Sequence, residues 1–208
     1  MGIRSDLLAA TRRALCETAL RLFVEQGIAA TKMEDILKAS DVSVGSFYYL
    51  FKNKIELASV LYVETQEQFF QYLLKDVPHL QTAREGIETL IREYLQWSAD
   101  HPVEMYYLAY RHESEIIEVA QEREKLSRAD FQAQLQTWLQ PLIERGEILP
   151  LPVEQCFALW FGPTDYLVRD TLSTFGPFSN VVEPPLPERL LASTEVLARA
   201  AWQALKND

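Results

Sequence analysis

Residues 31–57 read TKMEDILKASDVSVGSFYYLFKNKIEL, a pattern of two short helices about a tight turn that runs into the start of a third. Thr31 and Glu34 have the T-x-x-E spacing of a capping box. Met33, Ile36 and Leu37 follow at helical intervals, so one face of the first short helix is buried. Ala39-Ser40-Asp41 interrupts that period. Ser43 is placed to cap the second helix, with Val42 ahead of it and Phe47 positioned as a hydrophobic staple. At about 100° per residue, Val44, Phe47 and Phe51 point inward; Gly45, Ser46 and Tyr49 point outward, with Tyr48 on the rim. The free face is small, hydroxylated and aromatic and carries no carboxylate. Such a face suits the major groove of DNA. Asn53 and Glu56 then form a capping pair for the long helix that follows.

Helix N-termini offer free N–H groups and partial positive charge, which suits phosphate. Thr31 and Lys32 at one terminus, and Lys54 at another, are therefore candidate phosphate contacts. Ser43, Val44, Gly45 and Ser46 sit where base edges would lie. Tyr48 can direct its hydroxyl to the backbone, and Tyr49 can touch phosphate, sugar or a thymine methyl. Gly45 costs about 1 kcal/mol in a helix relative to Ala, a cost that close approach to DNA would justify. Any one of these residues alone would be ordinary surface; the assembly carries the reading.

The run Ala19, Leu22, Phe23, Gly27, Thr31, Ile36, Ala39, Val42, Ser43, Gly45, Tyr48, Phe51, Lys54, Leu57 resembles the DNA-binding domain of the tetracycline-repressor (TetR) family. The resemblance spans the first quarter of the chain. It implies an all-α homodimer with an N-terminal three-helix, helix-turn-helix reader in residues 1–52. A helical ligand-sensing and dimerisation domain would follow in residues 53–208, about nine helices in all. Leu37, Asp41 and Leu50 depart from the family pattern, where a small residue, glycine and a polar residue are usual. Leu50 removes one phosphate contact; the other two touch only packing and the turn.

The charge is divided unequally. Residues 1–54 hold eight Lys/Arg and six Asp/Glu, a balance of +2, while residues 55–208 hold twelve and twenty-four, a balance of −12. An acidic body repels DNA, so only the basic end can dock. Cys16 and Cys156 stand far apart without C-x-x-C spacing and read as small buried residues. No apolar run approaches the roughly 18 residues of a membrane span, and MGIRSDLL lacks a signal-peptide core, so a cytoplasmic protein without membrane contact is expected.

Helical periodicity continues along the chain. Residues 5–26 place Leu8, Leu15, Ala19, Leu22 and Phe23 on one side, and Gly27 closes the helix. Residues 53–75 form a long helix connecting reader and sensor. Further helices are expected over 82–99, a short stretch around Met105 to Tyr110, 113–144 with a break near Ala120, 153–175 and 188–206. Pro141 and Pro163 fall inside two of them. Residues 176–187 read as a linker. The 153–175 segment is apolar on most of its circumference, which calls for cover on both sides. With residues 188–206, whose Leu190, Leu197, Ala201 and Leu205 share a side, it is expected to form the homodimer interface that the resemblance implies.

Catalytic chemistry finds no footing. His112-Glu113 begins an H-E-x-x-H, but Ile116 stands in the second ligand position. Ala109 and Ser98 occupy the places of glutamate in the Glu-x-x-His of di-iron bundles. No P-loop, G-x-S-x-G or G-x-G-x-x-G occurs. The residues thus point away from an enzyme and call for no cofactor or metal. Trp97, Tyr106, Tyr110, Phe131, Trp138, Phe157, Trp160 and Phe161 are candidates to line a pocket for an unknown small-molecule effector. On the residues alone a solid core is the better reading; it is the family resemblance that implies that some of them line a cavity. Two readings follow: a ligand-responsive regulator, most often a repressor in this family, that leaves a palindromic operator when its effector binds; or an architectural DNA-binding protein without an effector.

Overall fold

The computed structural model describes residues 3–110, 114–176 and 185–207. The described residues are helical, with one isolated antiparallel bridge between Ile148 and Lys206. The helices are α1 (Ile3–Gln26), α2 (Met33–Ser40), α3 (Val44–Leu50), α4 (Lys54–Leu74), α5 (Ala83–Asp100), α6 (Pro102–Tyr110), α7 (Ser114–Glu144), α8 (Val153–Phe175), α9 (Leu186–Leu191) and α10 (Thr194–Leu205), with a 3-10 turn at Val77–His79 after α4. They divide into two compact units. One comprises Met1–Gln66 and Val103–Lys125, the other Glu67–Pro102 and Leu126–Asp208. Helices α4 and α7 each contribute to both.

In the first unit, Leu15, Ala19, Leu22 and Phe23 of α1 are buried with Ile36, Phe47, Phe51 and Leu57. Tyr107 is wholly buried among them and donates its hydroxyl to Ala58 O at 2.9 Å. Gly27 ends α1 at φ +86°, where an L side chain would be strained, and its N–H returns to Phe23 O. The short turn between α2 and α3 places Asp41 at φ 54°, where Asp is tolerated better than most residues. The family's usual glycine would adopt that geometry freely. Leu8, expected in the core, is 37% exposed.

In the second unit α5 is the central helix, packed on α8, α9 and α10. Its Gly86, Ile87, Leu90, Ile91, Tyr94 and Leu95 are buried, and Thr82 caps its start by accepting from Glu85 N. α7 runs unbroken through Ala120, and Pro141 and Pro163 lie inside continuous helices. The last helical stretch is two helices, α9 and α10, separated at Ala192-Ser193. The side bearing Leu190, Ala201 and Leu205 faces this unit's own core, with Leu197 at its edge. The large apolar side chains exposed on these helices are others: Leu159 at 42% and Tyr166 at 72% on α8, and Val196 at 70% on α10. Residues 111–113 and most of the 176–187 linker lie outside the described residues.

Gly86 decides how closely α7 approaches α5. A Cβ built there would lie 2.1 Å from Cη2 and Cζ2 of Trp138, whose indole N–H donates to Leu80 O at 3.2 Å. Gly86→Ala should therefore push the indole out of its place and lower stability by about 1–3 kcal/mol, despite alanine's better helix propensity. Urea unfolding monitored by tryptophan emission is the check; a stabilised variant would show that the indole yields freely.

Candidate DNA-reading surface

A helix of seven residues needs help at both ends, and α3 has it. Ser43 is its N-cap, accepting from Ser46 N at 3.1 Å, and the two hydroxyls lie 2.9 Å apart. Phe47 and Phe51 are buried at 0% and 4% exposure, their rings 5.9 Å apart. The outward face carries Gly45, Tyr49 at 74% and Tyr48 at 61% exposure, with Ser46 half-buried. Val44 is 58% exposed rather than inward. At the first turn of so short a helix, the inner stripe begins only at Phe47. Ser43, Val44, Gly45, Ser46, Tyr48 and Tyr49 thus share one open surface, and none of them is acidic.

Three candidates at helix starts separate on inspection. Lys32 is exposed and is the N-cap of α2, without a side-chain cap bond. Thr31 is not that cap. It is 1% exposed, and its hydroxyl turns back to Gly27 O at 2.7 Å, with Leu22 O at 3.2 Å. Those carbonyls at the end of α1 hold the hydroxyl in place of the first turn of α2. Lys54 is likewise spoken for. Its ammonium donates to Ile28 O at 2.6 Å, Thr31 O at 2.7 Å and Ala29 O at 3.2 Å. Three N–H groups meet three carbonyls, so Lys54 ties the start of α4 to the turn between α1 and α2. Asn53 and Glu56 cap α4 as expected: Asn53 Oδ1 accepts from Glu56 N at 2.8 Å, and the Glu56 carboxylate accepts from Lys52 N.

Of the α1 arginines, Arg12 pairs with Glu64 at 2.6 Å and Arg21 with Glu25 at 3.1 Å, while Arg13 is exposed. Burial pushes the Cys16 and Cys156 thiols up to about 11, so both are unreactive at neutral pH. No group of three or more metal-binding side chains occurs among the described residues, and none of their helices is long and apolar enough to cross a membrane.

The eight aromatic candidates for a pocket divide between the units. Tyr106 and Tyr110 belong to the first, their rings 5.0 Å apart. The other six lie in the second. Phe131, Phe157, Trp160 and Phe161 form a seam with Phe70 at one end, where Phe70 and Phe131 stack at 4.2 Å. Trp138 joins this seam at Trp160, and Trp97 packs instead on Phe69. Trp160 is fully buried with its N–H on Ile87 O. One cleft of about 210 Å³ opens at the Phe70–Phe131 end, where Glu67, Gln71, Asp130 and Gln134 are among its walls. Phe131 alone of the eight lines that cleft. Phe70 was not among the sequence candidates, although it stacks on Phe131.

A capped short helix, held by two phenylalanines behind a turn and presenting an uncharged open face, has the geometry of the second helix of a helix-turn-helix. The family described as "Bacterial regulatory proteins, tetR family" matches residues 15–61. The match is confined to that N-terminal stretch, while the chain as a whole shares the all-α fold of solved structures described as TetR family regulators. The HTH-type transcriptional regulator AcrR of Shigella flexneri is 40% identical over 52 residues, 25% of this chain and 24% of AcrR. The match therefore spans about a quarter of that relative's length. A TetR family transcription regulator from Marinobacter aquaeolei VT8 superposes over 100% of both chains with TM-score 0.73 at 21% identity. The FadR transcriptional regulator of Bacillus subtilis, solved with stearoyl-CoA, covers 92% of this chain and 98% of its own, with TM-score 0.74 and 19% identity.

Two substitutions separate phosphate contact from scaffolding. Lys32→Ala should make the salt dependence of DNA binding shallower by roughly 1. Lys54→Ala should leave that slope unchanged and instead lower the melting temperature of the first unit, because three carbonyls lose their donor. A shallower slope for Lys54→Ala would mean that its ammonium leaves the carbonyls for phosphate. Gly45→Ala, whose new methyl meets nothing within 4 Å, should raise stability by up to about 1 kcal/mol while weakening specific binding. Equilibrium titrations of one duplex at several salt concentrations, with thermal melts alongside, give all three answers.

Proposed function

We propose that this chain is a ligand-responsive transcriptional regulator, a repressor that binds a palindromic operator as a homodimer and leaves it when a small molecule binds. Residues 1–52 are the reader and residues 53–208 the sensing and dimerisation domain. The observation that carries the reading is the open face of Ser43, Val44, Gly45, Ser46, Tyr48 and Tyr49 on a domain matching a family of DNA-binding regulators. Lys32 supplies a phosphate contact beside it. Thr31 and Lys54 act one step back, fixing the turn and the start of α4.

Homodimerisation is assigned to residues 153–175 and 188–206, through the face of Leu159 and Tyr166 on α8 and Val196 on α10. Large apolar side chains on adjacent helices are costly in water and suit a second copy of the same surface. The effector reading draws on the aromatic seam and on the Bacillus subtilis FadR of similar fold, which was solved with stearoyl-CoA. For its part, the architectural reading, DNA binding without an effector, draws on the close packing of that seam. Release of a bound operator by any compound in a small-molecule screen separates the two.

Selection from a random duplex pool should return a two-fold symmetric sequence. Half-sites would lie about 34–36 Å apart, or a multiple of that. Failure to select any sequence would remove the regulator reading. Leu159→Arg combined with Val196→Arg should give a monomer of normal helicity, with operator affinity falling at least tenfold. An unchanged dimer on sizing would move the interface elsewhere.

A further inference from the structure

The first unit holds a cleft of about 340 Å³ that the helix-turn-helix alone does not explain. Leu7, Leu8 and Thr11 of α1 form one wall and Gly45, Ser46 and Tyr49 of α3 the other. Each helix contributes residues i, i+1 and i+4, the spacing of a single face. Leu7 is 68% exposed, so the α1 wall is apolar side chain open to solvent. Thr11 adds no free donor to it, since its hydroxyl returns to Leu7 O at 2.9 Å. Gly45 leaves the other wall open, with nothing within 4 Å of where a Cβ would stand.

The cleft is continuous with the DNA-reading face, because Gly45, Ser46 and Tyr49 belong to both. Its chemistry narrows what part of a duplex can enter. A phosphate is held by cations, N–H groups or hydroxyls; no lysine or arginine lines the cleft, the Thr11 and Ser46 hydroxyls already pair with Leu7 O and Ser43, and Asp6 stands beside Leu7 in sequence, which leaves Tyr49 as its one candidate for phosphate. The major groove offers one apolar group on a base edge, the C5-methyl of thymine. We propose that the cleft between the first turns of α1 and the recognition helix α3 receives a thymine methyl of the operator. Leu7 and Leu8 make α1 a second base-reading element. This inference rests on the regulator reading above, and it adds a specificity contact from outside the helix-turn-helix.

Deoxyuracil lacks only that methyl, so it tests the contact without altering the protein. With the full chain and a duplex recovered by selection, each thymine is replaced in turn by deoxyuracil. One position per half-site should lose affinity by about fourfold, the worth of one buried methyl. In the Leu7→Ala, Leu8→Ala double variant, thymine and deoxyuracil at that position should bind equally, with the salt slope unchanged. Both leucines are exposed, so the fold should persist, and circular dichroism verifies it. Undiminished sensitivity in the double variant would assign the methyl to Tyr49 alone and overturn the proposal, as would a wild type insensitive at every thymine. A chain that selects no duplex at all fails earlier, at the regulator reading, and takes this inference with it.

Discussion

A helix of seven residues does not hold itself together in water, because nucleation costs more than so few hydrogen bonds return. The face proposed to read DNA lies on such a helix, so it exists only by virtue of what stands behind it. Phe47 and Phe51 anchor α3 from beneath, Ser43 closes its first turn, and Asp41 accepts a left-handed backbone so that the chain can enter from α2. The Lys54 ammonium fixes the other end of the motif, joining α4 to the carbonyls that follow α1. Of these five residues only Ser43 also belongs to the open face. Their work is to keep the outward face rigid enough that small side chains and a glycine can be presented at fixed positions.

Where the sequence was legible, local chemistry and tertiary packing agreed. The Ser43 cap, the Asn53–Glu56 pair, the buried Phe47 and Phe51 and the outward Tyr49 all follow from spacing alone. Thr31 shows where that logic fails. A capping-box pattern records which groups are available, and two carbonyls at the end of α1, whose nearness is invisible in a linear reading, claimed the hydroxyl first. Lys54 was drawn away by the carbonyls that follow, those of Ile28, Ala29 and Thr31. Val44 and Leu8 were placed inward by periodicity, yet each stands where its helix has no neighbour to cover it. Period gives the angle of a side chain around an axis and says nothing about what lies in that direction.

The body was less legible for a related reason. An aromatic at helical spacing looks the same whether it faces a cavity or another ring. In the second unit most such residues face other rings, and the indole N–H groups of Trp138 and Trp160 are satisfied by backbone carbonyls. The division at Ala192-Ser193 and the outward turn of Val196 were hidden as well, because alanine-rich helix continues on both sides of the break. An interface read from the apolar stripe of α10 would have fallen on its own core; the exposed residues lie about a third of a turn away.

The tryptophans have a practical consequence of their own. Trp97, Trp138, Trp160 and Trp202 all belong to the second unit, and the first contains none. Selective excitation of indole therefore observes the second unit alone, while the first, with Tyr48, Tyr49, Tyr62 and Tyr107 among its tyrosines, is silent at that wavelength. A single tryptophan introduced into the reader would supply a second colour-matched reporter. Melting of the two units could then be followed separately in one intact chain, without cutting it.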